Sequence, residues 1–283
     1  MILERFSHSG IQSFKKCPAQ FKYRYINQIY KKDEGIEAFL GKRVHESIEY
    51  LYNQAMVKNF ISFDQLLNFY KSQWQERWHN RVHIVYKKVL PIDRDRGDIG
   101  RWKKSINFYH LLGRKCLSKY YTNNEPIKQN ASNVYANEHE MVFYLDQDEG
   151  YTIKGIVDRL DHDGDGNWEI HDYKTGKRAM SQNDADKDHQ LALYQIGLMA
   201  EVKEFKSIKL IWHFIQQGIR VESIRTMAAL RKVIDETKKT IDIIRDTFNK
   251  NGEFHPKQSM LCNWCYYWEE CPAKSGTNPY IKA

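Results

Sequence analysis

Between residues 138 and 174 the apolar residues recur with period two, whereas on either side they recur at the three- and four-residue spacings of helices. That switch limits the folds open to the chain. HEMVFYLD, TIKGIVDRLD and NWEIHDYK alternate and are joined by Asp/Gly-rich turns, which predicts an antiparallel meander. Upstream, residues 44–125 read as mainly helical. Val44, Ile48 and Leu51 form a stripe after Gly41, and residues 64–80 and 101–122 are amphipathic, the former with Asp64 as its expected N-cap. Residues 1–30 begin with SHSG and continue as a short helix interrupted near Pro18. Downstream, helical spacing returns over 184–200, SIKLIWHFI and IRVESIR flank a QQG turn as strands, and MAALRKVIDETKKTIDIIRDTF is a long helix ending near Asn251-Gly252. The order predicts an α/β fold with a central mixed β-sheet flanked by helices, plus a helical insertion.

At 283 residues, 41% apolar and 28% charged with only 15 Gly and 6 Pro, the chain has the composition of an ordered protein with a full core, which excludes collagen-like and disordered classes. No run of about 18 apolar residues occurs, and MILERFSHSG lacks a secretory pattern, so the expectation is a cytoplasmic protein with no membrane partner. A net charge of +8 favours polyanions such as nucleic acid. Its distribution is uneven: residues 71–130 hold 14 basic and 5 acidic side chains, and residues 131–200 hold 6 basic and 14 acidic. A basic surface beside an acidic pocket suits attraction of phosphates and local binding of a divalent cation, although solvated helix faces would give the same counts.

The chemistry concentrates in the meander. In NWEIHDYKTGK, Trp168, Ile170, Asp172 and Lys174 share one strand face. Pairing across the Asp161–Asn167 turn brings Asp158, which follows the close-approach glycine of GIVD, near Asp172. Two carboxylates together bind a hard cation, and magnesium needs few protein ligands because it keeps waters and a substrate phosphate. Lys174 then orients or deprotonates water, or offsets phosphate charge. Taken alone, D-x-K is more often an exposed strand with a salt bridge. His45 adds an imidazole from an upstream helix, and Gln190 and Tyr194, four apart in HQLALYQIGL, project from one helical face that follows the strand.

Three of the five cysteines form Cys262-x2-Cys265-x5-Cys271-Pro272, and Cys17 also precedes a proline. In a reducing compartment thiolate ligation is expected rather than disulfides, with zinc and an iron-sulfur cube both open. Either would clamp the two ends of the chain together. Cys116 reads as a small helix residue packed in the core.

RVHE, GIVD, DYK and QLALY in this order, with one amino-terminal cysteine and a carboxyl-terminal C-x2-C-x5-C-P, resemble the RecB-type PD-(D/E)XK nucleases over about residues 7–274. The set is most similar to their iron-sulfur subgroup, which includes the AddB carboxyl-terminal nuclease domain and the CRISPR adaptation nucleases. The resemblance implies a restriction-endonuclease-like core and one nuclease domain over 1–283, with a helical insertion at 50–130 and a cysteine segment at 255–275 packing near Cys17. It implies His45, Asp158, Asp172 and the Tyr173 carbonyl as ligands of Mg2+ or Mn2+, Lys174 as the catalytic lysine, and Gln190 and Tyr194 as active-site support. It further implies Cys17, Cys262, Cys265 and Cys271 as ligands of a structural [4Fe-4S] cluster, zinc being the other occupant.

The function expected is a metal-dependent deoxyribonuclease, an exonuclease on single-stranded or free-ended DNA, with a helicase or CRISPR adaptation protein as partner. The alternative is a cysteine-clamped DNA-binding subunit of a helicase or integrase complex with little nuclease activity. Two patterns point elsewhere. DHDGDGNWEIHD, residues 161–172, imitates a calcium loop, but its strand-like flanks make it an acidic hairpin turn. Glu138 and Glu140 open the first strand; one of them near the metal is the second reading, and surface charge is the expectation. Trp74, Trp78, Trp102, Tyr109 and Tyr120, interleaved with Lys87, Lys88, Lys103 and Lys104, form a mix able to stack bases and hold phosphates, though most aromatics build cores.

Overall fold

The computed structural model describes residues 3–83, 99–124, 133–145, 150–250 and 252–275, with residues 99–104 given by backbone alone. In chain order it runs β1 (Arg5–Phe6), α1 (His8–Lys16), α2 (Pro18–Phe21), a π-turn (Lys22–Ile26), β2 (Glu34–Gly35), α3 (Ile36–Met56), α4 (Phe63–Arg77), β3 (Val82–His83) and α5 (Ile99–Asn124). There follow β4 (Val134–Tyr144), β5 (Thr152–His162), β6 (Asn167–Lys174), α6 (Gln182–Ala185), α7 (His189–Glu201), β7 (Ser207–Phe214), β8 (Ile219–Ile224) and α8 (Met227–Asn249).

The sheet is mixed and six-stranded, in the order β1-β5-β6-β7-β8 with β4 also on β5. β4, β5 and β6 form the meander, β6 and β7 run parallel with Asp172 opposite Trp212, and β7 and β8 close the other side as a hairpin. The two faces of the sheet carry different cores. Ile153, Val157, Leu160, Trp168 and Ile170 pack with Leu191 and Leu198 of α7 and with Ile241 and Ile244 of α8. On the other face, Leu40, Val44, Ile48 and Leu51 of α3 pack with Tyr70 and Trp74 of α4, Leu117 and Tyr120 of α5, and Tyr173. Each such fully buried aliphatic side chain contributes roughly 1.5–3 kcal/mol relative to exposure.

The second core contains a charged centre. Arg159 is ion-paired with Asp161 at 2.9 Å, donates to the hydroxyls of Tyr120 and Tyr173 at 3.1 and 3.3 Å, and lies 4.1 Å from the Tyr52 ring. His171 and His213 meet beside it at 2.9 Å. This group ties α3 and α5 to β5, β6 and β7.

Two expectations are corrected, both at helix starts, and the leading reading of two aromatics as core residues holds. α4 is capped by Ser62 rather than Asp64, because Ser62 and Gln65 bond each other's backbone as a capping box. α3 begins at Ile36, so Gly41 is interior to it. Trp74 and Tyr120 are core residues, at 6% and 3% exposure, and are closed to base stacking. Lys87 and Lys88 lie outside the described residues, as do the side chains of Trp102, Lys103 and Lys104. Residues 161–172 form the β5–β6 hairpin: Asp163 accepts from the amides of Asp165 and Asn167, and Gly164 and Gly166 take φ of +86° and +92°. No helix among the described residues is long and apolar enough to cross a membrane.

Candidate active site

The β5–β6 ladder runs from the His162–Trp168 pair to the Arg159–His171 pair. One step on, the Asp158 carboxylate takes the amide of Tyr173 at 2.7 Å, so a side chain bridges the strands where they part. Val157 and Leu160 lie in one core although three apart, which places a slip in the alternation at Asp158. On β4, pairing of Asn137 with Arg159 and of His139 with Val157 sets Glu138 opposite Asp158, and Glu138 has φ +46°. A non-glycine residue in that region costs about 1–2 kcal/mol, and such strain gathers at functional sites.

α3 delivers His45, whose Nδ1 lies 3.6 Å from Asp158 Oδ2. Its approach depends on Gly41 one turn earlier, where a Cβ would stand 3.0 Å from the Thr175 hydroxyl just beyond Lys174. His45, Glu138 and Asp158 offer ligand atoms within 4.8 Å of one another. Glu140, two residues along β4, instead pairs with Lys154 at 2.9 Å on the surface. Of the two acids expected at the surface, Glu138 therefore belongs to the site.

On the adjoining face Lys174 Nζ donates to Asp172 Oδ1 at 2.9 Å and to Gln190 Oε1 at 3.0 Å. Gln190 Nε2 donates in turn to Asp172 Oδ1 and to the Tyr194 hydroxyl, each at 3.3 Å. Asp188 caps α7 by accepting from Leu191, which fixes the helix end that presents Gln190. Tyr194 lies against β5 at Gly155, where a Cβ would fall 2.6 Å from its ring. The structure thus brings His45, Asp158, Asp172, Lys174, Gln190 and Tyr194 together. Tyr173 contributes its backbone, bonded to Asp158 and to His45, while its side chain belongs to the opposite core. His8, the first residue of α1, belongs to none of the sequence motifs, yet it feels the charges of Lys174 and Asp172.

The electrostatics are those of crowded acids. Burial, reinforced by the Asp172 carboxylate, pushes Asp158 up to about 8, and burial with Asp158 and Glu49 nearby pushes Glu138 up to about 7. Enclosure lowers His45 despite the pull of Asp172, which keeps its imidazole neutral and available as a ligand. Burial alone would depress Lys174, but its ion pair and hydrogen bond with Asp172 hold it above the ordinary lysine value. It is therefore an ammonium here. Asp172 Oδ2 lies 2.8 Å from that ammonium but makes no hydrogen bond. Oxygen-rich donors, a neutral imidazole and carboxyls whose ionisation is opposed by burial and by one another fit a hard divalent cation.

The cysteines meet at the opposite end of α1. Cys17 closes α1, while Cys262 lies in a 3-10 turn over Met260–Trp264 and Cys265 follows it. Burial raises the Cys265 thiol, with Cys17, Cys271 and Cys262 all adding to the rise, so the four sulfurs share one neighbourhood. All are free thiols, and backbone amides of Lys257 and Ser259 donate to Cys17 and Cys262 at 3.4 Å each. The ends are also joined directly: Tyr23 donates to the Glu270 carbonyl at 2.9 Å, Tyr267 to the Ile29 carbonyl at 3.0 Å, and Lys31 pairs with Glu270. The four thiols act on one another electrostatically, but no three of their sulfurs lie within 4.8 Å of one another, so they are neighbours rather than a closed tetrahedral metal site.

Residues 5–272 match the family model of the PD-(D/E)XK nuclease superfamily. The chain belongs to that superfamily, whose nucleases use divalent metals. Among solved structures, a candidate exonuclease from Eubacterium rectale is similar at 14% identity and a TM-score of 0.52, over 93% of this chain and 88% of that one, a likeness of fold. SSO0001 aligns at 13% identity and a TM-score of 0.36, over 76% of this chain and 95% of that one. Comparison with curated proteins finds no match.

Proposed function

We propose that the protein is a divalent-metal-dependent deoxyribonuclease that hydrolyses phosphodiesters as an exonuclease on single strands with free ends. The observation that carries this reading is the meeting of His45, Glu138, Asp158 and Asp172 beside the Lys174 ammonium where β5 and β6 part. His45, Asp158, Asp172 and the Tyr173 carbonyl would hold Mg2+ or Mn2+, with Glu138 as a further oxygen donor. When bound, the ion supplies Lewis acidity toward a phosphoryl oxygen and makes water more acidic.

The chain's own residues do the rest. Lys174, charged and fixed between Asp172 and Gln190, offsets the negative charge that builds on the phosphoryl oxygens during in-line attack; its raised pKa argues for this role over that of a base. Gln190 holds Lys174 and Asp172 in register, and Tyr194 braces Gln190 from the core side. Cys17, Cys262, Cys265 and Cys271 hold a structural [4Fe-4S] cluster that fastens the two ends of a single nuclease domain, with zinc as the other occupant their chemistry accepts.

The test is degradation of DNA labelled separately at each end, offered as single strand, duplex and circle, in Mg2+, Mn2+ or chelator. Metal-dependent loss of free-ended single strands is expected. Tight, salt-dependent binding with every form left intact would overturn the enzymatic reading in favour of a DNA-binding subunit.

A further inference from the structure

A cavity of about 550 Å³ runs along α1 and takes in His8, the residue that feels Lys174 and Asp172. One wall carries His8, Gln12, Lys16, Gln20 and Arg24, spaced every fourth residue along α1, α2 and the π-turn. His8, Gln12 and Lys16 share one face of α1, and beyond the extended break at Cys17 the chain turns Gln20 and Arg24 into the same cavity. The stripe starts at the active site, where His8 feels Lys174 and Asp172, and it passes the cysteine group, where Gln20 approaches Cys265 Sγ at 4.0 Å. The facing wall holds Lys42, beside the Gly41 that backs onto Thr175, together with Tyr30 and Lys31.

Charge and shape select the occupant. Lys31 and Lys42 are paired with Glu270 and Glu34, whereas Lys16 and Arg24 have no acidic partner among the described residues. The one carboxylate in the lining, Asp33, is neutralised by Arg81 and His83, so Lys16 and Arg24 leave the cavity with surplus positive charge that suits a chain of phosphates. Tyr30 is 81% exposed, the highest among the exposed large hydrophobic side chains, so its ring presents a face to anything in the groove. A basic track with an aromatic platform takes a strand whose bases are unpaired, because stacking needs a base face that a duplex keeps covered.

We infer that this groove is the track by which single-stranded DNA reaches the catalytic centre, with Lys16 and Arg24 on its phosphates and Tyr30 stacked on a base. The inference rests on the nuclease reading above and assigns its strand specificity to residues outside the catalytic machinery. Fluorescence anisotropy of labelled oligo(dT) in Ca2+ buffer tests it, with wild type beside Tyr30→Ala, Tyr30→Phe and Lys16→Gln/Arg24→Gln, alongside cleavage kinetics of each. Tyr30→Ala should weaken binding about tenfold, and Tyr30→Phe should restore it. The double variant should lower the slope of log affinity against log salt by about 1.4, at roughly 0.7 for each phosphate that is no longer neutralised. In Tyr30→Ala and the double variant KM should rise while kcat at saturating strand holds, and Tyr30→Phe should keep the wild-type KM. Wild-type affinity and salt slope in Tyr30→Ala and the double variant, in a protein that still degrades single strands, would overturn the groove and leave the nuclease standing. A wild type that cuts only duplex would overturn the single-strand reading, and the groove with it.

Discussion

At the scale of single residues, the site is a set of acids that cannot all be charged without a cation. Asp158 at about 8 and Glu138 at about 7 keep their protons in the folded, metal-free protein, whereas unfolded carboxyls ionise near 4. Raised folded values favour the native state fully below about pH 4, and that contribution is lost as pH rises toward 8. The chelated protein should therefore melt lower at about pH 8 than at about pH 5, and Mn2+ should raise its Tm by roughly 2–4 °C more at the higher pH. Calorimetry in both buffers checks this; an equal metal effect at the two values would contradict it. Asp172 and Lys174 were legible because a strand's period of two puts them on one face, and Asp158 because the Asp/Gly turn set the pairing register. Glu138 was legible only as one of two acids, either of which could reach the metal. Its place depends on a positive φ and on a slip in β5, neither of which leaves a mark in the residue pattern.

Among the elements, close approaches and buried charge hold the strands and helices that present the site. Gly155 lets β5 lie against the Tyr194 ring, so Gly155→Ala must push that ring and with it the Gln190–Lys174 chain. Overpacking of this kind costs about 1–3 kcal/mol. Urea denaturation should show that destabilisation together with a fall in kcat, and a variant of wild-type stability and rate would refute the role of this glycine. Arg159 is bound more tightly into the fold. Removing it leaves the buried Asp161 carboxylate with His171 alone and takes a charged donor from the Tyr120 and Tyr173 hydroxyls, so Arg159→Leu should destabilise by about 3–5 kcal/mol, measured the same way; a change under about 1 kcal/mol would contradict this role. The mixed sheet and the long helices were readable from periodicity. The Arg159 centre was not, since its partners come from α3, α5, β5, β6 and β7 and meet only in three dimensions.

Across the whole molecule, the two ends close on each other around a sheet that carries a core on each face. Cys17 and the carboxyl-terminal cysteines lie near one another, flanked by Tyr23, Tyr267 and Lys31 bonds that join the same segments. Cys17→Ser should lose bound metal and expose residues 255–275 to protease while the sheet stays folded, read by metal analysis and limited proteolysis. Retention of metal and protection would show that the cluster does not depend on Cys17. Wild type prepared without oxygen should be brown and bear iron; a colourless protein holding zinc would fix the other occupant. The nearness of the four cysteines was expected from their spacing, whereas the cavity along α1 combines residues from three segments.

The central claim is that the acids beside Lys174 form a nuclease centre. Single-turnover cleavage of an end-labelled single strand in Mn2+, with wild type beside Lys174→Ala and Asp172→Asn, tests it most directly. The account predicts metal-dependent cleavage by wild type and a drop of at least about a hundredfold in each variant with strand affinity retained. Equal rates in wild type and Lys174→Ala would contradict it.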